Sequence, residues 1–335
     1  MPILHFPMFA CFFRRSATPP GRVHPVATRQ TRIHTLPETL FPIPSSQIGA
    51  SAQKWDQNRM AEVLREAVVH NREGKKRYAL SLVGEVYRSA YLAENYRTCL
   101  RLLNCAFSFH TSADFSHLPT LHQYSVAQCA LCELVGSSDP IACIVGYTDA
   151  GSCRLVEFNP VEAGRLFDLA EKMRSSIDPT NEHTLGKLKV ILKGRIQACM
   201  DTCRRLPSNY VDVREPLVRC TLESMDRLMQ MKLSSTERAT TYRARADTLL
   251  LCSSPPDTEG ATHARLAMYG CIAPREFDPT CPVCMEHMPL GSPDTMVMGC
   301  FHTVHRECFS KCPPVATHGT ELTPCPVCRR FTHYM

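Results

Sequence analysis

The C-terminal part of the chain contains three segments rich in cysteine, CPVC at 281–284, CFHTVHREC at 300–308 and CPVCR at 325–329. A C-x2-C pair lets a tight turn direct two thiolates at one metal ion, and the stretch begins and ends with such a pair. Eight protein ligands fill the coordination of two tetrahedral zinc ions and leave no position open. Such closed coordination is typical of structural zinc sites and not of catalytic ones. The eight candidate ligands are Cys281, Cys284, Cys300, His302, His305, Cys308, Cys325 and Cys328.

The order of these ligands resembles a known zinc-binding family. Three cysteines, two histidines and three cysteines follow one another with gaps of two, fifteen, one, two, two, sixteen and two residues. This order and spacing resemble the RING finger of the RING-H2 type, over residues 281–330 of the chain. A related cross-braced zinc fold is the alternative.

In RING fingers, the first and third ligand pairs share one metal ion, and the second and fourth pairs share the other. The resemblance therefore implies two zinc sites, one of Cys281, Cys284, His305 and Cys308, and one of Cys300, His302, Cys325 and Cys328. Metal has to supply folding energy, on the order of 10 kcal/mol per structural zinc ion, because so short a segment cannot bury a sufficient core. We expect five side chains to fill the space between the sites: Val283, Met298, Val304, Phe309 and Val327.

The same resemblance implies an activity. RING fingers commonly bind a ubiquitin-conjugating enzyme charged with ubiquitin and hold its thioester in an attack-ready arrangement, which is catalysis by positioning. The contact positions of the family have counterparts here: Val283 precedes the second ligand, Pro326 follows the seventh and Arg329 follows the eighth. The resemblance implies a RING-type ubiquitin ligase whose partners are a conjugating enzyme, ubiquitin and a protein substrate held by a helical domain. A zinc-binding scaffold without ligase activity is the alternative.

One position departs from the family pattern. Many RING-H2 domains carry a tryptophan four residues after the sixth ligand, where this chain has Cys312, and its single tryptophan is Trp55. Phe309 is a partial substitute, and the choice of conjugating enzyme stays open. A role for Cys312 as a ubiquitin acceptor is disfavoured relative to a packing thiol, because no catalytic domain surrounds it.

The cysteine content bears on the cellular compartment. Nineteen cysteines indicate either a disulfide framework in a secreted protein or metal thiolates in a reducing compartment, and the ligand spacing favours the second. The expected location is therefore the cytoplasm or the nucleus. Other cysteines lie among apolar residues at helical spacing and are interpreted as small buried hydrophobic residues. These include Cys99, Cys105, Cys129, Cys132, Cys199 and Cys203.

Residues 54–253 are predicted to be helical. An amphipathic stripe with the i, i+3, i+4, i+7, i+8 spacing begins this segment, and similar stripes recur along it. Asn159-Pro160 fits an N-cap followed by proline, and Ser234 with Glu237 fits a capping box. β signals are scarce, so we predict seven to nine helices with short connections in this segment.

Three glycines in this segment raise the question of internal repeats. Gly84, Gly151 and Gly186 are separated by 67 and 35 residues, close to two and one periods of the 34-residue tetratricopeptide repeat. Part of the repeat pattern follows Gly151, in the A-x3-F-x2-A segment of Ala163, Phe167 and Ala170. The match is poor elsewhere, so an irregular helical bundle is favoured over a true repeat array.

The remaining segments are predicted to lack a core. Residues 1–53 are rich in arginine and proline and are interpreted as a disordered tail, with a mitochondrial presequence or a secretory signal as alternatives. Residues 254–280 contain the turn-forming SSPPDTEG and are interpreted as a linker. No apolar run reaches the roughly 18 residues of a membrane span, so the chain is expected to be soluble.

The fold class that follows is mainly α. We predict an irregular helical bundle or repeat-like helical array at 54–253, followed by a small cross-braced two-zinc module at 281–330. The formal net charge of +6 is diluted over 335 residues, and the basic clusters lack interleaved aromatic residues, so a nucleic-acid partner is disfavoured.

Overall fold

The computed structural model describes residues 40–41, 57–110, 118–174, 177, 182–272, 278–317 and 320–331. These residues form eleven α-helices, one short 3-10 helix and four three-residue strands. The prediction of a mainly α fold with a small Cys/His-rich module at its C-terminal end is confirmed. Among the described helices, none has both the length and the apolar character needed to cross a membrane.

The described residues group into two compact units, one ending at Gly194 and the other beginning at Arg195. The predicted single helical domain at 54–253 is therefore divided between them. The described part of that stretch contains nine α-helices, within the predicted range of seven to nine.

The first unit is a succession of helices with short connections. Two of the helix starts follow directly from local chemistry. The Asp139 carboxylate accepts a hydrogen bond from Ala142 N–H ahead of one helix, and Asn159 Oδ1 accepts one from Glu162 N–H ahead of the next, as predicted. The helices are α1 Gln57–Arg72, α2 Lys76–Leu92, α3 Tyr96–His110, α4 Leu118–Val135, α5 Pro140–Val156, α6 Pro160–Arg174 and α7 Glu182–Arg205, with the 3-10 helix Gly136–Ser138 before α5.

The core of the first unit contains an aromatic ring packed against two glycines. Phe167 of α6 is fully buried. A Cβ atom added at Gly151 of α5 would lie 3.0 Å from the ring, and one added at Gly194 of α7 would lie 2.2 Å from Phe167 Cζ. Real Cβ atoms do not approach a ring as closely as 2.2 Å, so a side chain at Gly194 would displace Phe167, and the fit at Gly151 is tight. The predicted A-x3-F-x2-A segment thus faces the core, with Ala163 and Ala170 also buried.

The repeat-like relation does not extend to the third glycine. Gly186 is exposed, and nothing lies within 4 Å of its Cβ position. The helix that carries it, α7, continues for 24 residues where a repeat would require a turn between two helices. The irregular bundle is therefore the better description of the helical body.

Most of the predicted N-terminal tail at 1–53 lies outside the described residues, but Leu40 and Phe41 are described and buried. The ring centroid of Phe41 lies 5.3 Å from that of Tyr87 and 5.6 Å from that of Tyr124. Aromatic rings at this separation stabilise a core by direct contact. These two residues belong to the core of the first unit, which corrects the prediction of a tail without structure up to residue 53.

The second unit continues with the end of α7 and three further long helices, α8 Val211–Met229, α9 Ser235–Leu251 and α10 Thr258–Gly270. The predicted capping box is present at the start of α9. Ser234 Oγ accepts a hydrogen bond from Glu237 N–H at 3.2 Å, and the Glu237 carboxylate accepts one from Ser234 N–H at 2.9 Å.

Helix α10 corrects the prediction of a linker at 254–280. It has 13 residues and begins after Asp257, whose Oδ1 accepts a hydrogen bond from Gly260 N–H at 2.8 Å. One face of the helix is buried, with spacing i, i+3, i+4 and i+7: Ala261, Ala264, Arg265 and Met268. The turn-forming residues before Asp257 therefore end α9 and start α10 within a few positions.

Short strands and one helical turn make up the rest of the C-terminal module. Strand β1 Thr295–Val297 pairs antiparallel with β2 Thr303–His305, and α11 Arg306–Ser310 follows β2 directly. Strand β3 Val315–Thr317 pairs antiparallel with β4 Thr320–Leu322. This architecture places His305 on β2 and Cys308 on α11, places Cys300 and His302 just before β2, and leaves the two C-x2-C pairs on turns.

Candidate metal centre

Eight cysteine and histidine side chains of the C-terminal module form two groups of four. We call the first group cluster 1, and it consists of Cys281, Cys284, His305 and Cys308. The second group, cluster 2, consists of Cys300, His302, Cys325 and Cys328. Within each cluster the candidate ligand atoms all lie within 4.8 Å of one another. These are the same interleaved sets that the RING resemblance implies, so the two clusters link all three cysteine-rich segments.

The spacing between ligand atoms fits a tetrahedral zinc ion. Zn–S bonds of about 2.3 Å and Zn–N bonds of about 2.0–2.1 Å at tetrahedral angles place a sulfur and a nitrogen about 3.5 Å apart. In cluster 1, His305 Nδ1 lies 3.3 Å from Cys284 Sγ and 4.0 Å from Cys308 Sγ. In cluster 2, His302 Nδ1 lies 3.4 Å from Cys300 Sγ. Each cluster could therefore hold one metal ion, and its thiolate and imidazole donors suit zinc.

The C-x2-C pair of cluster 1 is held in a turn by its own backbone. Cys281 N–H donates to the carbonyl of Glu286 at 2.9 Å, and Met285 N–H donates to the carbonyl of Cys281 at 2.9 Å. Met285 has a φ of 62°, in the left-handed region. A non-glycine residue in this region costs on the order of 1 kcal/mol, so its presence shows that the turn is fixed by its surroundings.

The C-x2-C pair of cluster 2 repeats this arrangement. Cys325 N–H donates to the carbonyl of Arg330 at 2.9 Å, and Arg329 N–H donates to the carbonyl of Cys325 at 2.8 Å. Arg329 has a φ of 59°, and it stands where Met285 stands in the first turn. The identical CPVC sequences therefore form matching turns. In each turn, the backbone of the residue after the second cysteine is fixed by a hydrogen bond to the first cysteine.

The orientation of His305 favours metal binding through Nδ1. Its Nε2 lies 3.3 Å from the carbonyl oxygen of His287. A proton on Nε2 can donate to this carbonyl, which leaves the Nδ1 lone pair directed at the cysteines of cluster 1. Metal-binding histidines commonly donate their second ring N–H to such an acceptor, which fixes the tautomer and the ring orientation.

The thiols of the two clusters differ in pKa. Burial raises the pKa of Cys281, but hydrogen bonds from the surrounding backbone N–H groups outweigh this and lower it to about 6. Burial and the other two cysteines of cluster 2 raise the pKa of Cys300 to about 12. Thiolates this close repel one another, and a divalent cation bound among them would keep every cysteine of a cluster deprotonated.

A small apolar core lies between the two clusters, and its buried residues include Met288, Met296, Met298, Val304 and Phe309. Val283 and Val327, which were predicted to join it, are instead 43% and 49% exposed. Both valines precede the second cysteine of a C-x2-C turn. Because the two cysteines of such a turn face the metal position, the valine directly before the second cysteine faces solvent. This corrects the predicted core and leaves both valines available for contact.

A buried arginine joins α10 to the module. Arg265 is 1% exposed, and its guanidinium donates to the carbonyl oxygens of Leu290, Ser292 and Thr295, the last at 2.7 Å. Nη2 also lies 3.9 Å from an Asp247 carboxylate oxygen of α9. Two of the carbonyls belong to the loop that connects the first C-x2-C turn to β1, and the third belongs to Thr295, the first residue of β1. Arg265 therefore satisfies three acceptors of a segment that has little secondary structure of its own.

Two further contacts attach the same helix to the module. A Cβ atom added at Gly291 would lie 2.3 Å from Thr262 Oγ1 and 2.9 Å from the carbonyl oxygen of Thr258, so the loop backbone lies directly against α10. The Tyr269 hydroxyl donates to the carbonyl of Phe301 at 3.4 Å. The folded module therefore begins at α10 and not at the first cysteine.

The structure places the predicted contact residues at or near the surface of the module. Val283 and Arg329 are exposed, and Pro326 is half-buried. Met285, which the sequence analysis did not single out, is 73% exposed beside Val283. Cys312 is half-buried, and its thiol donates to the carbonyl of Cys308 at 3.5 Å, consistent with a packing thiol.

Cysteines in the helical body behave as packing residues. Cys99, Cys132, Cys199 and Cys203 are buried, and burial raises the pKa of the half-buried Cys129 to about 11. Within the described ranges, clusters 1 and 2 are the groups of three or more Cys, His, Asp or Glu side chains that could hold a metal ion. Cys129 and Cys132 belong to neither of these groups.

The chain matches no known protein-family model, no curated protein and no solved structure. The capacity of clusters 1 and 2 to hold metal rests on their geometry. The RING family remains a resemblance, carried by the order and spacing of the eight ligands.

Proposed function

We propose that the chain is a RING-type ubiquitin ligase. The C-terminal module would bind a ubiquitin-charged conjugating enzyme, and the helical body would hold a protein substrate. The observation that carries the proposal is a pair of matching C-x2-C turns, one exposing Val283 and the other exposing Arg329, held by two interleaved Cys/His clusters. In the RING family these two positions contact the conjugating enzyme and its ubiquitin.

The first turn offers an apolar surface for the conjugating enzyme. Val283 and Met285 are 43% and 73% exposed, although both side chains are apolar. Exposed apolar side chains that are close in sequence on a fixed turn mark a surface that binds protein. Zinc, bound by the eight ligands, would supply the stability that keeps both turns in place.

The second turn offers a cation with a fixed backbone. The positive φ of Arg329 and the hydrogen bond from its N–H to Cys325 define where its side chain leaves the module. The guanidinium has several donors in a planar fork, so it can donate to carbonyls of the conjugating enzyme and of ubiquitin together. This would favour the attack-ready thioester, and no covalent step passes through the chain itself.

Replacing Arg329 with alanine is expected to slow ubiquitin discharge without unfolding the module. Arg329 is not a candidate metal ligand, so metal content should stay unchanged. Losing charge-assisted hydrogen bonds of roughly 1.5–3 kcal/mol corresponds to a discharge rate about ten- to a hundredfold lower. The measurement is single-turnover discharge of ubiquitin from charged conjugating enzymes, with metal content determined on the same samples.

The neighbouring Arg330 provides the matched control, since it is also exposed but follows the ligand by two positions. Arg330→Ala should discharge at the wild-type rate, and Arg329→Lys should recover only part of the activity, because an ammonium lacks the planar fork. Wild-type discharge by Arg329→Ala would exclude this role for Arg329. Absence of discharge by the wild type with every conjugating enzyme of a panel would favour the scaffold function instead.

A further inference from the structure

Two cysteines outside the metal clusters face each other across helices α7 and α8. The Sγ atoms of Cys199 and Cys220 lie 3.9 Å apart. Arg195, one turn earlier on α7, donates from Nη2 to Cys220 Sγ at 3.1 Å, and the Cys199 thiol donates to the same sulfur. The sulfur of Cys220 therefore accepts hydrogen bonds from two donors, and one of them is a cation.

The surroundings of the two thiols favour different protonation states. A guanidinium in contact with a sulfur stabilises the thiolate and lowers the pKa of that thiol. The pKa of Cys199 shifts in the opposite direction, well above its ordinary value, because it donates to Cys220 and because it is buried. The Arg195 guanidinium therefore favours a negative charge on the Cys220 sulfur, whereas the raised pKa of Cys199 favours its protonated form.

Cys220 and Cys199 also differ in their exposure to solvent. Cys220 is half-buried, whereas Cys199 is buried. A small neutral oxidant from solvent therefore meets the sulfur of Cys220 first. We propose that Cys220 is a thiolate that reacts with hydroperoxides and that Cys199 is the thiol that resolves the product into a disulfide between α7 and α8.

The chemistry consists of two balanced steps. In the first, the Cys220 thiolate attacks one oxygen of the hydroperoxide, the O–O bond breaks, and sulfenic acid forms while hydroxide or alkoxide leaves and takes a proton from water. In the second, Cys199 loses its proton and attacks the Cys220 sulfur, the S–O bond breaks, and hydroxide leaves with that proton as water. The peroxide is reduced by two electrons, and the two thiols are oxidised to one disulfide.

Disulfide formation requires the two sulfurs to move closer together. A disulfide has an S–S distance of about 2.05 Å, so the two sulfurs must approach from 3.9 Å. Because the bond would connect neighbouring helices of one unit, oxidation would tether α7 to α8.

The test treats the zinc-loaded full chain with one equivalent of hydrogen peroxide, alkylates the remaining thiols and maps disulfides by mass spectrometry without reduction. A Cys199–Cys220 disulfide should form before zinc is released, and fragment ions distinguish Cys199 from Cys203 on the same helix. Cys199→Ser should accumulate sulfenic acid at Cys220, which dimedone traps. Cys220→Ser should abolish the cross-link. Absence of this disulfide in the wild type, or a cross-link from Cys220 to a different cysteine, would overturn the proposal.

A second measurement tests the role of Arg195 without oxidation. Cys105 is also half-buried, but burial raises its pKa to about 11, so it is the internal reference. Iodoacetamide should alkylate Cys220 of the native wild type at lower pH than Cys105. Arg195→Met should slow alkylation of Cys220 by about tenfold for each unit that its pKa rises, and leave Cys105 unchanged. Equal alkylation of Cys220 and Cys105 across the pH range would contradict the assignment.

Discussion

Replacing Cys281 or Cys325 with serine is expected to unfold the C-terminal module and to leave the first unit folded. Each cysteine is fully buried, and each belongs to a different cluster. A serine hydroxyl stays protonated at neutral pH and does not replace a zinc thiolate. The loss of one structural zinc ion removes stability on the order of 10 kcal/mol, more than the small core between the clusters can replace.

Metal analysis and hydrogen exchange measure this result together. Backbone amides in 278–317 and 320–331 should lose protection in both variants, whereas those in 57–110 should keep it. Cys312→Ser is the matched control, because Cys312 lies in the same module and in neither cluster. The assignment would be wrong if Cys312→Ser lost as much metal as Cys281→Ser, or if Cys281→Ser retained two ions.

Replacing Arg265 with methionine is expected to destabilise the module by removing hydrogen bonds that attach it to α10. Methionine keeps an unbranched chain of similar length but has no donors, so the carbonyls of Leu290 and Thr295 lose the guanidinium as donor, whereas that of Ser292 still accepts from Thr295 N–H. Leaving buried acceptors unsatisfied costs about 1–3 kcal/mol for each group, so a loss of about 3–5 kcal/mol in the free energy of unfolding is expected. The measurement is denaturant-induced zinc release, together with amide exchange in the loop 289–295.

The control for this substitution is Arg238→Met, which alters an exposed arginine on α9. It should change the free energy of unfolding by no more than about 0.5 kcal/mol. Arg265→Lys should be intermediate, because an ammonium keeps the charge but cannot reach three carbonyls with one planar fork. If Arg265→Met released zinc at the wild-type denaturant concentration, α10 would not be an integral part of the module.

The metal clusters could be predicted from the sequence because coordination chemistry is local and strict. A C-x2-C turn must direct two thiolates at one point, so spacing identifies the first and last ligand pairs, and the RING resemblance implies how the four pairs combine. The prediction that Val283 and Val327 are buried was wrong, and the geometry of the C-x2-C turn explains why. Both were counted as core because they are apolar, although a residue between two metal-facing cysteines is directed to solvent.

Helix α10 was missed because its strongest local signals are turn signals. SSPPDTEG contains two prolines and precedes a helix of only 13 residues. Asp257 as an N-cap and the buried spacing of Ala261, Ala264, Arg265 and Met268 were sufficient to predict it. No local pattern, however, indicates that Arg265 hydrogen-bonds to carbonyls 25 to 30 residues later.

Long-range packing explains the remaining differences in the helical body. Phe41 is buried against Tyr87 and Tyr124, which lie on two helices far from it along the chain. The close approach of Gly194 to Phe167 was likewise invisible, because the repeat interpretation singled out Gly186 eight residues earlier. Caps such as Ser234 with Glu237 were predictable, since their partners are three residues apart.

The central claim is that the C-terminal module binds two zinc ions through clusters 1 and 2. Native mass spectrometry of the full chain, purified without chelators, measures this directly as the mass of metal bound to each folded chain. Two zinc ions per chain are expected, released together with the proton uptake of their ligands when the solution is acidified. A chain that binds one zinc ion or none would contradict the account.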